Sequence, residues 1–404
     1  MKLLALVFSA MFLLASFPDI AEARSSKRSG RVSVKRKAYL KAGKKRVRAK
    51  VKRISRREVR YLLRLRALDN SLLRISEEEI MKDDLSGEDR EMRRAALKAL
   101  GGHPGTVVLM NPNNGRVYSI VNQAWAVGKP FKPCSTIKLL TSVAALGEGL
   151  VDPDKPMDLG YGLRMNMIEA LARSNNEYFQ VLGDQLGYEI LLEYAREWGL
   201  GQLTGINLAG EVPGYLPTEN NFSPRVCSHG DGIGITAIQL AVMTAAIANG
   251  GKIYQPQIVR SEREEAEFQP RLLRTVRMDE KARQKLIEGM LGAVTFGSAR
   301  RCGAAHLGVA GKTGSCTGQE SKLGLFASFF SPEKPDLVAV VITTGSSERG
   351  SQTSVFAGQI YNEIAAYFGD RPKLSLTARK LDELDLRSEE EDEEEEDEED
   401  IQER

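Results

Sequence analysis

The chain has 404 residues, 42% of them hydrophobic and 27% charged. That is the balance of a soluble globular protein of one to three domains, not of a disordered or fibrous chain. The formal net charge of +3 hides two poles: residues 24–66 hold twenty Lys and Arg against one acid, Glu58, and Glu389 to Asp400 is unbroken acid.

In chain order, residues 1–23 place Lys2 ahead of an apolar run that ends near Phe17 and is followed by Ala21-Glu22-Ala23. That layout predicts a secretory signal peptide cleaved after Ala23, because the run is short for a bilayer span of about 20 residues. Retention as a membrane anchor is the alternative. Export places the protein outside the cytoplasm, in the periplasm or cell envelope, where Cys134, Cys227, Cys302 and Cys316 can oxidise in any of three pairings. Residues 24–66 are too charged to fold alone. In an exported protein such a segment meets anionic lipid, anionic wall polymer or the acidic tail, and not nucleic acid; a solvated linker is the plain alternative.

Residues 67–100 read as a helical lead-in, with a helix from Ser86 to Leu100 stopped by Gly101-Gly102. GTVVLMNPNNGRVYSIVN then predicts a hairpin turning at Asn113-Asn114-Gly115. Most of residues 135–300 has a helical pattern, including TAIQLAVMTAAIANGG, where Thr236 and Gln239 form a capping box. VAGKTGSC, LFASFF and DLVAVVITT are three strands in close succession, followed by the amphipathic SVFAGQIYNEIAAYFG. Strands at both ends with helices between predict one sheet covered by helices over residues 101–370, with 371–404 as a disordered acidic tail.

The chain has no G-x-S-x-G elbow, phosphate-binding loop or metal-ligand spacing, so no metal or cofactor is called for. A serine-histidine triad would need His229 or His306, neither in a recognisable setting. In PCSTIKLLTS, by contrast, Ser135 stands three residues before Lys138, on one face of a helix over 135–147. A lysine there can activate a serine hydroxyl. ALARSNNEYF adds Ser174 and Asn176 at a break between helices, and VAGKTGSC puts Lys312-Thr313-Gly314 on a strand. Alternation sends Lys312 to one face and Thr313 and Ser315 to the other, while Gly314 opens the backbone to a ligand. S-x-x-K, S-x-N and K-T-G in this order are the motif set of penicillin-recognising serine enzymes.

With these motifs, the chain resembles the penicillin-binding protein transpeptidase family over residues 86–369. The resemblance implies an α+β fold: an antiparallel five-stranded sheet with helices on both faces, beside an all-helical lobe. It implies that Ser135 is acylated by a peptidoglycan stem peptide ending in D-Ala-D-Ala, or by a β-lactam. Lys138 would take the Ser135 proton, Ser174 relay one to the leaving amine, Asn176 bind the substrate amide and Lys312 supply positive potential. Thr313 and Ser315 would hold the substrate carboxylate, and the amides of Ser135 and Ser315 would form the oxyanion hole. A broad-activity class A β-lactamase pattern further implies a Cys134–Cys316 disulfide, leaving Cys227 and Cys302 as a second candidate pair. Asp231 departs from the polar amide or aromatic usual in the family, and the Ser135 to Ser174 interval is short. With no pedestal or glycosyltransferase domain visible, a glycan-polymerising partner would be another chain. Two other readings stay open: a serine β-lactamase using Glu211, which its G-E-x-x-G-x-L-P context marks as structural, and a non-catalytic sensor or scaffold.

Overall fold

The computed structural model describes residues 55–218, 223–318 and 321–368; the expected signal peptide, most of the basic segment and the acidic tail lie outside them. Helix α1 (Arg56–Ile80) is followed by α2 (Arg90–Leu100), β1 (Gly105–Met110), β2 (Val117–Val121) and α3 (Gln123–Gly128). A 3-10 turn over Cys134–Thr136 leads into α4 (Ile137–Gly147). Then come the hairpin β3 (Met157–Gly160) and β4 (Leu163–Met165), and helices α5 (Met167–Arg173), α6 (Asn176–Leu186), α7 (Tyr188–Glu197), α8 (Arg225–His229) and α9 (Ala237–Ala248). Next are β5 (Lys252–Tyr254), α10 (Glu262–Glu267), β6 (Leu272–Thr275) and α11 (Glu280–Thr295). Strands β7 (Val309–Thr317), β8 (Lys322–Phe330) and β9 (Leu337–Gly345) and helix α12 (Gly350–Ile364) complete the order.

The sheet runs β2-β1-β9-β8-β7 with every neighbouring pair antiparallel. Its middle strands read as continuous apolar runs because both faces are buried. Val108, Met110, Val338, Val340 and Ile342 join the core against α4 and α9. Their neighbours Val107, Leu109, Ala339 and Val341 turn to a second core with α2 and α12. Helix α9 is buried at every position, as an apolar helix between layers must be. The capping box is present: Thr236 accepts from the Gln239 amide and Gln239 returns the bond to the Thr236 amide.

Four expectations need revision. The helix expected from Ser86 begins at Arg90, because Asp89 caps it by accepting from the Glu91 and Met92 amides. Helix α1 runs unbroken through position 66, where the basic segment was expected to end. Nor does the folded core begin at residue 101, since α2 buries Met92, Ala95, Ala96 and Leu100 in the second core and Arg93 bridges Asp83 and Glu88 at 2.8 Å each. Finally, the lobe beside the sheet is helical except for the β3–β4 hairpin, and a second two-stranded antiparallel pair, β5 with β6 across α10, forms in the region read as helical. Both are short and largely exposed, so neither shows the apolar alternation that marks a half-buried strand.

Candidate active site

The three motifs converge from four elements. Ser135 is half-buried in the 3-10 turn, and the α-helix proper starts two residues later at Ile137. Lys138, in the first turn of α4, is fully buried. Its ammonium donates to Asn176 Oδ1 at 2.6 Å and to Ser174 Oγ at 3.3 Å, and also to the Ser174 carbonyl. Lys312 on β7 is equally buried and donates to the same Ser174 Oγ at 2.6 Å and to the Thr313 carbonyl at 3.1 Å. Two ammonium groups thus share one hydroxyl, and the Asn176 side-chain oxygen expected to face substrate is engaged by Lys138.

Local backbone geometry sets these positions. Ser174 ends α5 in the left-handed region, φ 64°, and Asn175 caps α6 by accepting from the Tyr178 amide. Cys134, just ahead of Ser135, is also left-handed at φ 49°. A non-glycine residue there costs on the order of 1 kcal/mol and persists only where its surroundings impose it. At Cys134 a covalent tie is part of those surroundings: Cys134 and Cys316 form a disulfide, Cα to Cα 5.7 Å, between the nucleophile turn and β7. The second candidate pair does not form. Cys227 and Cys302 are free and buried, Cys227 against Gly183 and Cys302 against Gly358, in different cores.

Alternation along β7 holds, with one change of role. The bare carbon of Gly314 faces protein and not open space: a Cβ there would lie 3.2 Å from Pro133 O, Thr136 Cγ2 and Leu325 Cβ. Glycine lets β7 press against the nucleophile turn. On the other face, Thr313 Oγ1 donates to Ser298 Oγ at 2.7 Å and Ser315 Oγ accepts from the Gly350 amide at 2.8 Å. Ser298 was not singled out from sequence. Its amide donates to Ala172 O at 3.0 Å, joining the S-x-N turn to the K-T-G strand.

The rim is charged. Asp231 bridges Lys132 at 2.8 Å and Arg225 at 3.0 Å, and these partners hold its carboxyl below the usual range despite partial burial. Glu211 points elsewhere: it accepts from the Thr204 amide at 2.6 Å and the Gly205 amide at 3.1 Å, as well as from the Thr204 hydroxyl, which makes it a turn brace. His229 Nδ1 lies 2.6 Å from Ser228 Oγ, but Ser228 is fully buried and offers no nucleophile to a substrate.

Burial, then the charges of Arg225 and Lys138, push the His229 imidazole down to about 3. A folded-state value below the unfolded one means that the native protein binds fewer protons than the unfolded chain as pH falls below about 6.5. Stability should therefore decline from pH 6.5 toward 3, by up to about 1.4 kcal/mol per pH unit from this group. Urea unfolding at pH 7, 5 and 4 checks this, and His229→Gln should flatten the slope; an unchanged slope would assign the acid lability to other groups.

With a five-stranded antiparallel sheet, flanking helices and this serine–lysine constellation, the molecule has the build of a penicillin-recognising serine protein. Residues 105–366 match the model of the penicillin-binding protein transpeptidase domain, and the chain belongs to that family. It is 26% identical over 350 residues to stage V sporulation protein D of Bacillus subtilis, covering 72% of this chain and 53% of that protein. To the peptidoglycan D,D-transpeptidase MrdA of Acinetobacter baumannii it is 23% identical over 343 residues, 65% of this chain and 51% of that one. The chain thus spans about half the length of these relatives. Among solved structures, a peptidoglycan glycosyltransferase from Burkholderia ambifaria superposes with a TM-score of 0.63 at 18% identity, over 71% of this chain and 99% of that one. Pseudomonas aeruginosa PBP2 gives 0.60 at 22% identity, over 72% and 80%.

Proposed function

We propose that the protein is a serine D,D-transpeptidase or D,D-carboxypeptidase that acts on peptidoglycan stem peptides through a Ser135 acyl-enzyme and is inhibited by β-lactams. The observation that carries this reading is the convergence of Lys138, three residues after Ser135, and Lys312 on Ser174 Oγ, at 3.3 and 2.6 Å. In its unprotonated form Lys138 takes the Ser135 proton as Oγ attacks the penultimate D-Ala carbonyl. As the peptide bond breaks, Ser174 passes a proton to the departing D-Ala amine, drawing on its bonded lysines. An acceptor amine or water then releases the acyl group. The backbone amides of Ser135 and Ser315 serve as the oxyanion donors, each worth about 3 kcal/mol in such sites. Thr313 and Ser315 hold the terminal carboxylate. Against a β-lactamase reading, Glu211, the deacylating base it would call on, is engaged by the amides of Thr204 and Gly205. Incubating the purified protein with D-Ala-D-Ala stem peptides and identifying products by mass spectrometry tests the proposal: loss of D-Ala or a new cross-link supports it, and intact substrate defeats it.

The same reading puts the protein outside the cytoplasmic membrane, exported by residues 1–23, with its basic segment on an anionic lipid or wall surface and a glycan-polymerising partner from another chain. No helix among the described residues is long and apolar enough to cross a membrane. The surface role is supported by the N-terminal half of α1, where Val59, Leu62 and Leu63 are 44–59% exposed beside Arg57 and Arg64. An apolar stripe flanked by arginine is the pattern of an interfacial helix. Sedimentation with anionic vesicles should weaken steeply with salt as charges are screened; salt-insensitive association would point to an apolar anchor instead.

A further inference from the structure

The turn between β9 and α12 carries more anchoring than a connection needs. Glu348 is only 7% exposed, yet its carboxylate touches none of the motif residues. One oxygen lies 2.9 Å from His103 Nδ1, and the other accepts from Thr343 Oγ1 at 2.7 Å. The His103 ring packs 4.8 Å from Phe356 in the second turn of α12. Two residues before Glu348, Asp69 of α1 accepts from the Ser346 amide at 2.7 Å and the Ser346 hydroxyl at 2.6 Å. Burying a carboxylate is costly unless its oxygens are bonded, so this cluster must hold a definite geometry to persist.

What the geometry delivers is Gly350, the first residue of α12. Its amide donates to Ser315 Oγ at 2.8 Å. A Cβ on Gly350 would lie 2.6 Å from Gly314 O and 2.8 Å from Gly314 N, so the helix start sits directly on the K-T-G strand with no side chain between. A serine hydroxyl has one proton and two acceptor lone pairs. With one lone pair taken by the Gly350 amide, the hydroxyl keeps its proton to donate to an anion.

We propose that Glu348 is a positioning residue for this site: bonded to His103 and Thr343, it clamps the turn that sets the Gly350 amide on Ser315, and so orients the Ser315 hydroxyl for the substrate carboxylate. The assignment rests on the reading above that Ser315 meets that carboxylate. Glu348 acts only through the backbone it holds.

The experiment compares the wild-type chain with Glu348→Gln and Glu348→Ala in two readouts. The first is the acylation rate with benzylpenicillin and with its methyl ester, which lacks the carboxylate charge. Glu348→Ala should lose about tenfold with the acid, the scale of one buried hydrogen bond to a charged group, and little with the ester. Glu348→Gln, whose amide oxygen can accept from Thr343 while its N–H donates to Nδ1 of a neutral His103, should recover most of the loss. Equal loss with both ligands, or none with either, overturns the proposal. The second readout needs no enzyme activity: amide exchange at Gly350 should quicken about tenfold in Glu348→Ala while α9 is unchanged. If the wild type is not acylated at all, the functional reading fails alone and the exchange result still decides the positioning role; unchanged exchange at Gly350 overturns it.

Discussion

Lys138→Ala is expected to slow acylation of Ser135 by a β-lactam by at least about 100-fold, the usual loss when a positioned proton acceptor is removed. Ligand affinity before the covalent step should change only a few-fold. The asymmetry follows from where the lysine stands. It is fully buried, held by Asn176 and Ser174 beneath the nucleophile turn, so it can move a proton while contributing little to ligand capture. Rapid-quench kinetics over a range of penicillin concentrations separates the two quantities. An acylation rate constant within a factor of a few of wild type would remove Lys138 from the proton path.

Breaking the Cys134–Cys316 disulfide should affect both stability and rate. The bridge closes a 182-residue separation, for which the chain-entropy relation allows roughly 5 kcal/mol before opposing terms. Cys316→Ser should lower the thermal midpoint by several degrees or more. It should also slow acylation, because the bridge ties the Ser135 turn to β7, the strand that carries Lys312 and Ser315. Calorimetry and acylation kinetics on the same preparation check both effects. A variant with full acylation rate and unaltered midpoint would make the bridge incidental. Cys302→Ser, at a free buried thiol in the second core, serves as the control for loss of a cysteine as such.

Much of this site was legible because the chemistry is carried by short, ordered motifs. Ser135 and Lys138 share a helical turn, Ser174 and Asn176 flank a helix break, and Lys312 alternates with Thr313 on a strand; each follows from local periodicity. The sheet was legible for the same reason, since β1, β8 and β9 are apolar enough to demand burial on both faces and β7 carries the K-T-G motif. What sequence hid is long-range and polar. Ser298 meets Thr313, and Glu348 meets His103 across 245 residues, through single side chains with no spacing rule. The left-handed backbone at Cys134 and Ser174 was equally hidden, because neither residue type favours it. Gly314 was assigned freedom toward a ligand, whereas its space is filled by Pro133, Thr136 and Leu325; a glycine in a strand signals close approach without saying of what.

The central claim, that Ser135 is an acylated nucleophile, is tested most directly by incubating the purified protein with benzylpenicillin and locating the adduct by peptide mass spectrometry. The account predicts one penicilloyl group per chain, on the peptide containing Ser135, absent from Ser135→Ala and slow to hydrolyse. An adduct on another residue, or equal labelling of wild type and Ser135→Ala, would contradict it.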